Sequence, residues 1–355
     1  MKMQSSHGKH DVVNNSKVRI ESIPKWRNLT ILSVCFLFLI ASLQAQGIYP
    51  GKAAKIEENI SAAFPYESQY LDIGNHKIHY VESGEGNPVL LLHGFPSSSY
   101  VWRNIINKID KDKKVIALDF LGFGKSSFPE DRNVSPETQY QVLVDFIRVK
   151  ELQNITLWVH DLGSIIGMMY ATREPENVKG IGLFEAPMMP TAAFYKQLPF
   201  NLKLVMKLTR KPEKAEKLYV EKNFVGKKFP KVLTARKLSD KELTEYARPF
   251  EEKERRYAAI NGPDPAQMSF NKGRGNTEFE MLINQLANDF KETDIPIVYF
   301  YAKPGFLNNK VAVLYARNTF KVYQEVYVGK GKHFLTESHP QKMSDAFNKW
   351  YKTLK

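Results

Sequence analysis

The chain carries one cysteine in 355 residues, Cys35, and it sits inside an apolar run near the N-terminus. Beyond it no disulfide can form, and cysteine-nucleophile or zinc-finger chemistry is excluded. Acidic residues are also scarce, 38 against 51 Lys and Arg, for a formal net charge of +13. That excess suits an anionic envelope or serves solubility. The lysine-rich stretches 227–231 and 329–332 come without a nucleic-acid motif and read as solvated surface, so no nucleic-acid partner is expected. No cluster of His, Cys, Asp and Glu has metal-ligand spacing, and His76 and His79 project from opposite faces of one strand. A glycine-rich turn follows Val115-Ile-Ala-Leu-Asp119, but it lacks the Lys-Ser/Thr pair at the spacing of a phosphate loop. Asp119 and its glycines therefore read as scaffold. No internal repeat is visible.

The N-terminus carries a leader. Residues 1–28 hold six Lys and Arg against Asp11 and Glu21, and residues 29–43 are uncharged and largely apolar. Fifteen residues fit a signal-peptide core better than the ~20 of a membrane span. The expectation is export, periplasmic or secreted, with cleavage after Ala45. The alternative is membrane anchoring through residues 29–45 with the N-terminus in the cytoplasm. A lipoprotein is excluded, because Cys35 follows Val34 inside the core.

After this leader (1–46), residues 47–355 read as one domain. Apolar strand patterns fall at 69–73, 77–82, 88–93, 115–120, 155–160, 178–184, 295–302 and 324–329. Helical patterns fall at 99–110, 136–152, 164–173, 309–318 and 338–353. This alternation predicts a parallel sheet covered on both faces. Between 187 and 290 the strand rhythm stops and helix-period apolar residues take over, which predicts an inserted helical cap. Phe194, Leu198, Phe224 and Phe250 of that stretch would suit a small apolar substrate, and helical packing explains the same pattern.

The chemistry concentrates at Ile155-Thr-Leu-Trp-Val-His-Asp-Leu-Gly163. An apolar strand runs into a sharp turn with Asp161 at its apex, and a helix-like run follows. This is the layout of the nucleophile elbow of α/β-hydrolases, with Asp where Ser usually sits. A carboxylate there suits attack on an electrophilic carbon bearing a leaving group, giving an ester that water must cleave. Upstream, strand 88–92 runs into His93-Gly-Phe-Pro96. In this fold that loop and the residue after the nucleophile supply the oxyanion hole, here the amides of Phe95 and Leu162. Among eight His, only His333 follows a late strand at the position the base requires. For the acid, no Asp or Glu lies between 303 and 312, whereas Glu185 stands directly after strand 178–184. Glu337 competes, but four residues past His333 it suits a helix cap or a loop support.

With these residues in place, the chain resembles the haloalkane dehalogenase branch of the α/β-hydrolases, close to epoxide hydrolases. The resemblance runs from about Tyr70 to the C-terminus. It rests on His93-Gly-Phe-Pro-Ser-Ser-Ser-Tyr-Val-Trp-Arg-Asn104, Asp119-Phe-Leu-Gly-Phe-Gly-Lys-Ser126 and His160-Asp-Leu-Gly-Ser164. It continues through Leu243-Thr-Glu-Tyr-Ala-Arg-Pro-Phe250, Arg255-Arg256, Pro304-Gly-Phe-Leu307 and Gly331-Lys-His-Phe-Leu-Thr-Glu337. It implies a mostly parallel eight-stranded sheet with helices on both faces and an inserted helical cap. It also implies nucleophile Asp161, base His333, acid Glu185, a small apolar organic substrate and no cofactor.

Two positions depart from that branch. Its members hold the departing halide with a Trp directly after the nucleophile, and many add an Asn in the His-Gly-Asn-Pro loop. Here those positions are Leu162 and Phe95, whose side chains have no N–H donor. Epoxide hydrolysis is the alternative, with a cap tyrosine as acid among Tyr195, Tyr219, Tyr246 and Tyr257. A non-catalytic binding protein on a hydrolase fold is the second alternative. A luciferase-type oxygenase fits less well, because those relatives resemble the halide-binding members at both positions.

Overall fold

In the computed structural model, residues 48–50, 54–58, 60–198, 200–261 and 277–354 are described. The expected leader and residues 262–276 of the expected cap lie outside them. Among the described residues no helix is long and apolar enough to cross a membrane.

The strands are β1 (Gln69–Ile73), β2 (His76–Ser83), β3 (Asn87–Leu92), β4 (Lys113–Leu118), β5 (Ile155–His160), β6 (Val178–Phe184), β7 (Ile297–Pro304) and β8 (Tyr323–Gly331). They form one eight-stranded sheet in the order β1-β2-β4-β3-β5-β6-β7-β8. β2 is antiparallel to both of its neighbours, and the pairs from β4 to β8 are parallel. Every expected strand is present, with ends displaced by two residues at most. β3, β5 and β6 are predominantly apolar and buried along almost their whole length because both of their faces are covered. Alternate residues of β3 enter different cores: Leu90 and Leu92 pack into one cluster, Val89 and Leu91 into the other.

The longer helices are α1 (Pro136–Val149), α2 (Leu162–Arg173), α3 (Thr191–Gln197), α4 (Phe200–Leu208), α5 (Phe224–Leu233), α6 (Asp240–Ala247), α7 (Glu278–Glu292), α8 (Lys310–Thr319) and α9 (Pro340–Tyr351). α1, α2, α7 and α8 share one core through Phe146, Ile165, Leu286 and Val313. α9 covers the other face, where Phe347 stacks on Trp158 of β5 at 4.1 Å between ring centroids. The segment 99–110, expected as a helix, is two short 3-10 turns, Ser99–Trp102 and Ile106–Lys108. Local side chains capture this backbone: the Ser99 amide donates to Asp119 Oδ1 at 2.6 Å. Arg103 and Asn104 both donate to the Ser61 carbonyl, at 2.7 and 2.9 Å.

Among the described residues between β6 and β7 the regular elements are helical, and α3 to α6 lie within the range read as cap. α7 falls in the same range but packs on α2 in the sheet-covering layer. A buried ionic cluster fastens α6 and the preceding turn to the main fold. Arg103 donates to Glu242 Oε1 at 2.7 Å and to Glu337 Oε2 at 2.9 Å. Arg236 donates to Glu337 Oε2 at 2.5 Å, and the Tyr246 hydroxyl donates to Glu337 Oε1. Glu337 is therefore not a helix cap. The residue before α9 is His339, with no side-chain capping bond.

Candidate active site

Asp161 stands between β5 and α2 with φ of +49°, a backbone conformation that side chains rarely tolerate and that surrounding structure must impose. Two glycines make room for it. A Cβ on Gly163 would meet the Leu92 carbonyl at 2.3 Å, and one on Gly94 would meet the Asp161 Cβ at 2.4 Å. Strand β3, its loop and the elbow thus close on one another at distances only glycine allows.

The Phe95 amide donates to Asp161 Oδ1 at 2.8 Å. Burial holds the Asp161 carboxyl above the usual carboxylate range, opposed by His333 and by the amides of Leu162 and Phe95. Both sequence-predicted oxyanion donors therefore act on the carboxylate of Asp161, the candidate nucleophile. Oδ2 faces His333, whose Nε2 lies 3.6 Å away. That is longer than a hydrogen bond.

Behind His333, Nδ1 lies 3.3 Å from Glu185 Oε2. Glu185 is fully buried, at the end of β6, with φ of +48°. Its carboxylate also accepts the amides of Leu307 at 2.6 Å and Phe306 at 3.1 Å. These donors fix the carboxylate so that it addresses Nδ1, which leaves Nε2 to act toward Asp161. Glu337, the competing acid, has both oxygens committed to Arg103, Arg236 and Tyr246. The structure thus brings Asp161, His333, Glu185, Phe95 and Leu162 together.

The sequence reading missed three features here. The amides of Phe306 and Leu307 hold the acid, yet backbone donors leave no trace in residue identity. The Leu233 carbonyl, at the end of α5, accepts the amides of both His333 and Phe334 at 3.0 and 3.2 Å. The ring of His160, fully buried before the nucleophile, stacks on Phe184 and lies 4.5 Å from the His333 ring. Burial, with His333 beside it, holds His160 well below the ordinary histidine range and so neutral.

A cavity of about 320 Å³ opens over Asp161 and His333. Phe194, Leu198 and Phe224, for which the sequence left substrate contact and helical packing open, line it, whereas Phe250 is buried elsewhere. Of the four candidate tyrosines only Tyr219 lines it. Tyr246 is committed to Glu337, and the Tyr257 hydroxyl donates to Glu216 at 2.7 Å. Among the described residues that line it, only His333 and Tyr219 carry N–H or O–H side-chain donors, and none is a Trp or Asn. Trp102 and Trp158 pack in the core on the α9 face of the sheet. The described residues contain no group of three or more potential metal ligands.

Comparison with known proteins agrees with this geometry. The family model described as alpha/beta hydrolase fold matches residues 87–340. A haloalkane dehalogenase of Agrobacterium fabrum is 28% identical over 275 residues, 77% of this chain and 88% of that protein. A cis-3-alkyl-4-alkyloxetan-2-one decarboxylase of Shewanella oneidensis is 34% identical over 152 residues, 40% of this chain and 46% of that protein. The crystal structure of the haloalkane dehalogenase DatA from Agrobacterium tumefaciens C58 superposes with a TM-score of 0.73 at 24% identity, covering 82% of this chain and 98% of that one.

Proposed function

This chain belongs to the alpha/beta hydrolase fold family and is a haloalkane dehalogenase-like hydrolase, and on that premise we propose that it forms an alkyl ester on Asp161. The substrate is a small apolar organic molecule, and water activated by His333 releases the product. The observation that carries this reading is the division of labour at Asp161. Phe95 holds Oδ1, while Oδ2 is turned to His333 beside the apolar cavity.

Oδ2 attacks a carbon in the cavity and displaces its leaving group, which departs with the bonding pair. Once Oδ2 is esterified, His333 Nε2 takes a proton from water as that water adds to the Asp161 carbonyl carbon. The negative charge appears on Oδ1, to which the Phe95 amide already donates, with the Leu162 amide against the same carboxyl group. Collapse expels the alkoxide, which takes the proton held by His333 and leaves as the alcohol, and the Asp161 carboxylic acid so formed loses its proton to water to restore the carboxylate. Glu185 stabilises His333 while it carries the proton.

The leaving group we favour is a halide, as in the dehalogenase relatives. Each charge-assisted hydrogen bond is worth roughly 1.5–3 kcal/mol. Two absent donors, at Leu162 and Phe95, slow carbon–halogen cleavage by about 10²–10⁴-fold. Bromide and iodide, which need less help, should therefore leave far better than chloride. A second reading, epoxide opening, draws on Tyr219, the one candidate tyrosine among the described residues that line the cavity, as the group that would protonate the ring oxygen.

The test is intact-protein mass spectrometry of a His333→Ala variant mixed with bromoalkanes, epoxides and an alkyl-oxetanone of the kind named for the Shewanella relative. Without the base, Asp161 keeps its ester. A gain of the alkyl group without halide supports displacement, and a gain of a whole ring molecule supports ring opening. A folded variant that gains nothing across the panel rules out the ester mechanism for these substrates.

A further inference from the structure

α4 carries apolar residues on both of its faces. Leu202, Val205 and Met206 line the cavity. Phe200, Leu204 and Leu208, spaced four apart and so on one face, are turned outward with relative exposures of 81, 45 and 53%. An outward apolar stripe of this kind marks a surface that meets something other than water. Its surroundings are strongly basic: residues 196–217 hold seven Lys and Arg against Glu213 and Glu216. Lys196, Lys207, Lys211, Lys214 and Lys217 are exposed. The Lys203 amine is folded back onto the Lys196 carbonyl at 2.9 Å, so it does not interrupt the stripe.

We propose that the outer face of α4 is a docking surface for an anionic lipid headgroup layer, with Phe200, Leu204 and Leu208 entering the interface. The choice of occupant rests on the pairing of features. A protein partner would accept the apolar stripe alone, whereas a lipid surface uses the apolar face and the flanking lysines together. The helix is too short and too charged to span a bilayer, and nothing here requires it to. The consequence concerns substrate supply, because the opposite face of the same helix lines the cavity. A docked α4 therefore separates the site from lipid by one helix thickness, and apolar substrates concentrate in lipid. This inference does not depend on the chemistry assigned to Asp161.

The test uses the full-length chain with Cys35→Ser, carrying one polarity-sensitive fluorophore on Leu204→Cys. A parallel sample carries it on Asp72→Cys, an exposed position of edge strand β1. Both are mixed with vesicles of phosphatidylcholine, alone or with phosphatidylglycerol. The expected result is a blue shift at position 204 with the anionic vesicles, reduced by salt and by neutral lipid, and none at position 72. A label on Leu208→Cys serves as a second probe should Leu204→Cys fold poorly. Insertion of the leader alone would bring the chain to vesicles without a shift at 204, and that overturns the proposal. A shift already present without lipid also overturns it: lost on dilution it means a second copy covers the stripe, and kept on dilution it means another part of this chain does.

Discussion

The carbonyl of Leu233, the last residue of α5, accepts the backbone amide of His333 at 3.0 Å. Leu233 also lines the cavity. One residue therefore shapes the substrate space and sets the height of the loop that carries the base. A shift of α5 to admit a bulky substrate would move His333 with it.

Glu185→Gln is expected to separate the two half-reactions. The Gln oxygen can still accept the Leu307 and Phe306 amides, but it no longer stabilises a protonated His333. Ester formation should survive while ester hydrolysis falls by about 10²–10⁴-fold, the scale seen when a triad acid becomes an amide. Single-turnover mass spectrometry would then show an accumulating Asp161 ester. Turnover at the wild-type rate would remove Glu185 from the mechanism.

Glu337→Ala is expected to destabilise the fold by about 3–5 kcal/mol, because Arg103 and Arg236 would keep buried charges with fewer partners. Urea unfolding measures this, and a loss under about 1 kcal/mol would mean that solvent or Glu242 compensates. The same cluster predicts acid sensitivity. Burial alone would push the Glu242 carboxyl up, but Arg236 and Ser239 outweigh it and bring it from 4.5 down to about 2. A lowered folded pKa means the unfolded chain takes up the proton first. The contribution of Glu242 is thus complete above pH about 4.5 and lost progressively as pH falls through about 2. Glu242→Gln should flatten the unfolding curve in that window and leave its shape near neutrality unchanged.

Much of this was legible in the sequence because the relevant signals are periodic or carried by side chains. The β3, β5 and β6 runs are mostly apolar and end in turns, and the elbow shows Asp161 and Gly163 directly. The segment 99–110 was misread because its apolar residues have helical spacing, while the capture of the Ser99 amide by Asp119 and of the Arg103 and Asn104 side chains by the Ser61 carbonyl depends on partners distant in sequence. Glu337 was given a local role for the same reason: its partners Arg103 and Arg236 lie 234 and 101 positions away. The supports of Glu185 were invisible because they are amides. The range assigned to the cap took in α7, whose apolar period is the same whether it faces a cap or a sheet.

Leu162→Trp combined with Phe95→Asn restores two N–H donors beside Asp161. Both wild-type side chains line the cavity, so the new donors would point where a leaving halide must go. Release of bromide from a short bromoalkane is expected to rise by about 10²–10⁴-fold, the reciprocal of the estimated loss. The larger indole should cost roughly 1–3 kcal/mol of stability through overpacking. Bromide should also quench the new Trp in the free protein. Quenching without faster release would show that carbon–halogen cleavage is not the slow step.

Tyr219→Phe discriminates between the two leaving groups. In ring opening the oxygen stays on the carbon skeleton and must be protonated as it departs, so removal of the hydroxyl of Tyr219, the one tyrosine among the described lining residues, should lower epoxide turnover by about 10²–10⁴-fold. A halide leaves as a stable anion and needs no proton, so bromoalkane turnover should stay within a few fold of wild type. Phe keeps the ring and its packing, which separates loss of the proton donor from loss of shape. Paired rates on one epoxide and one bromoalkane of equal chain length make the comparison. If both fall together, Tyr219 shapes the cavity without serving as an acid, and the epoxide reading loses its one supporting observation.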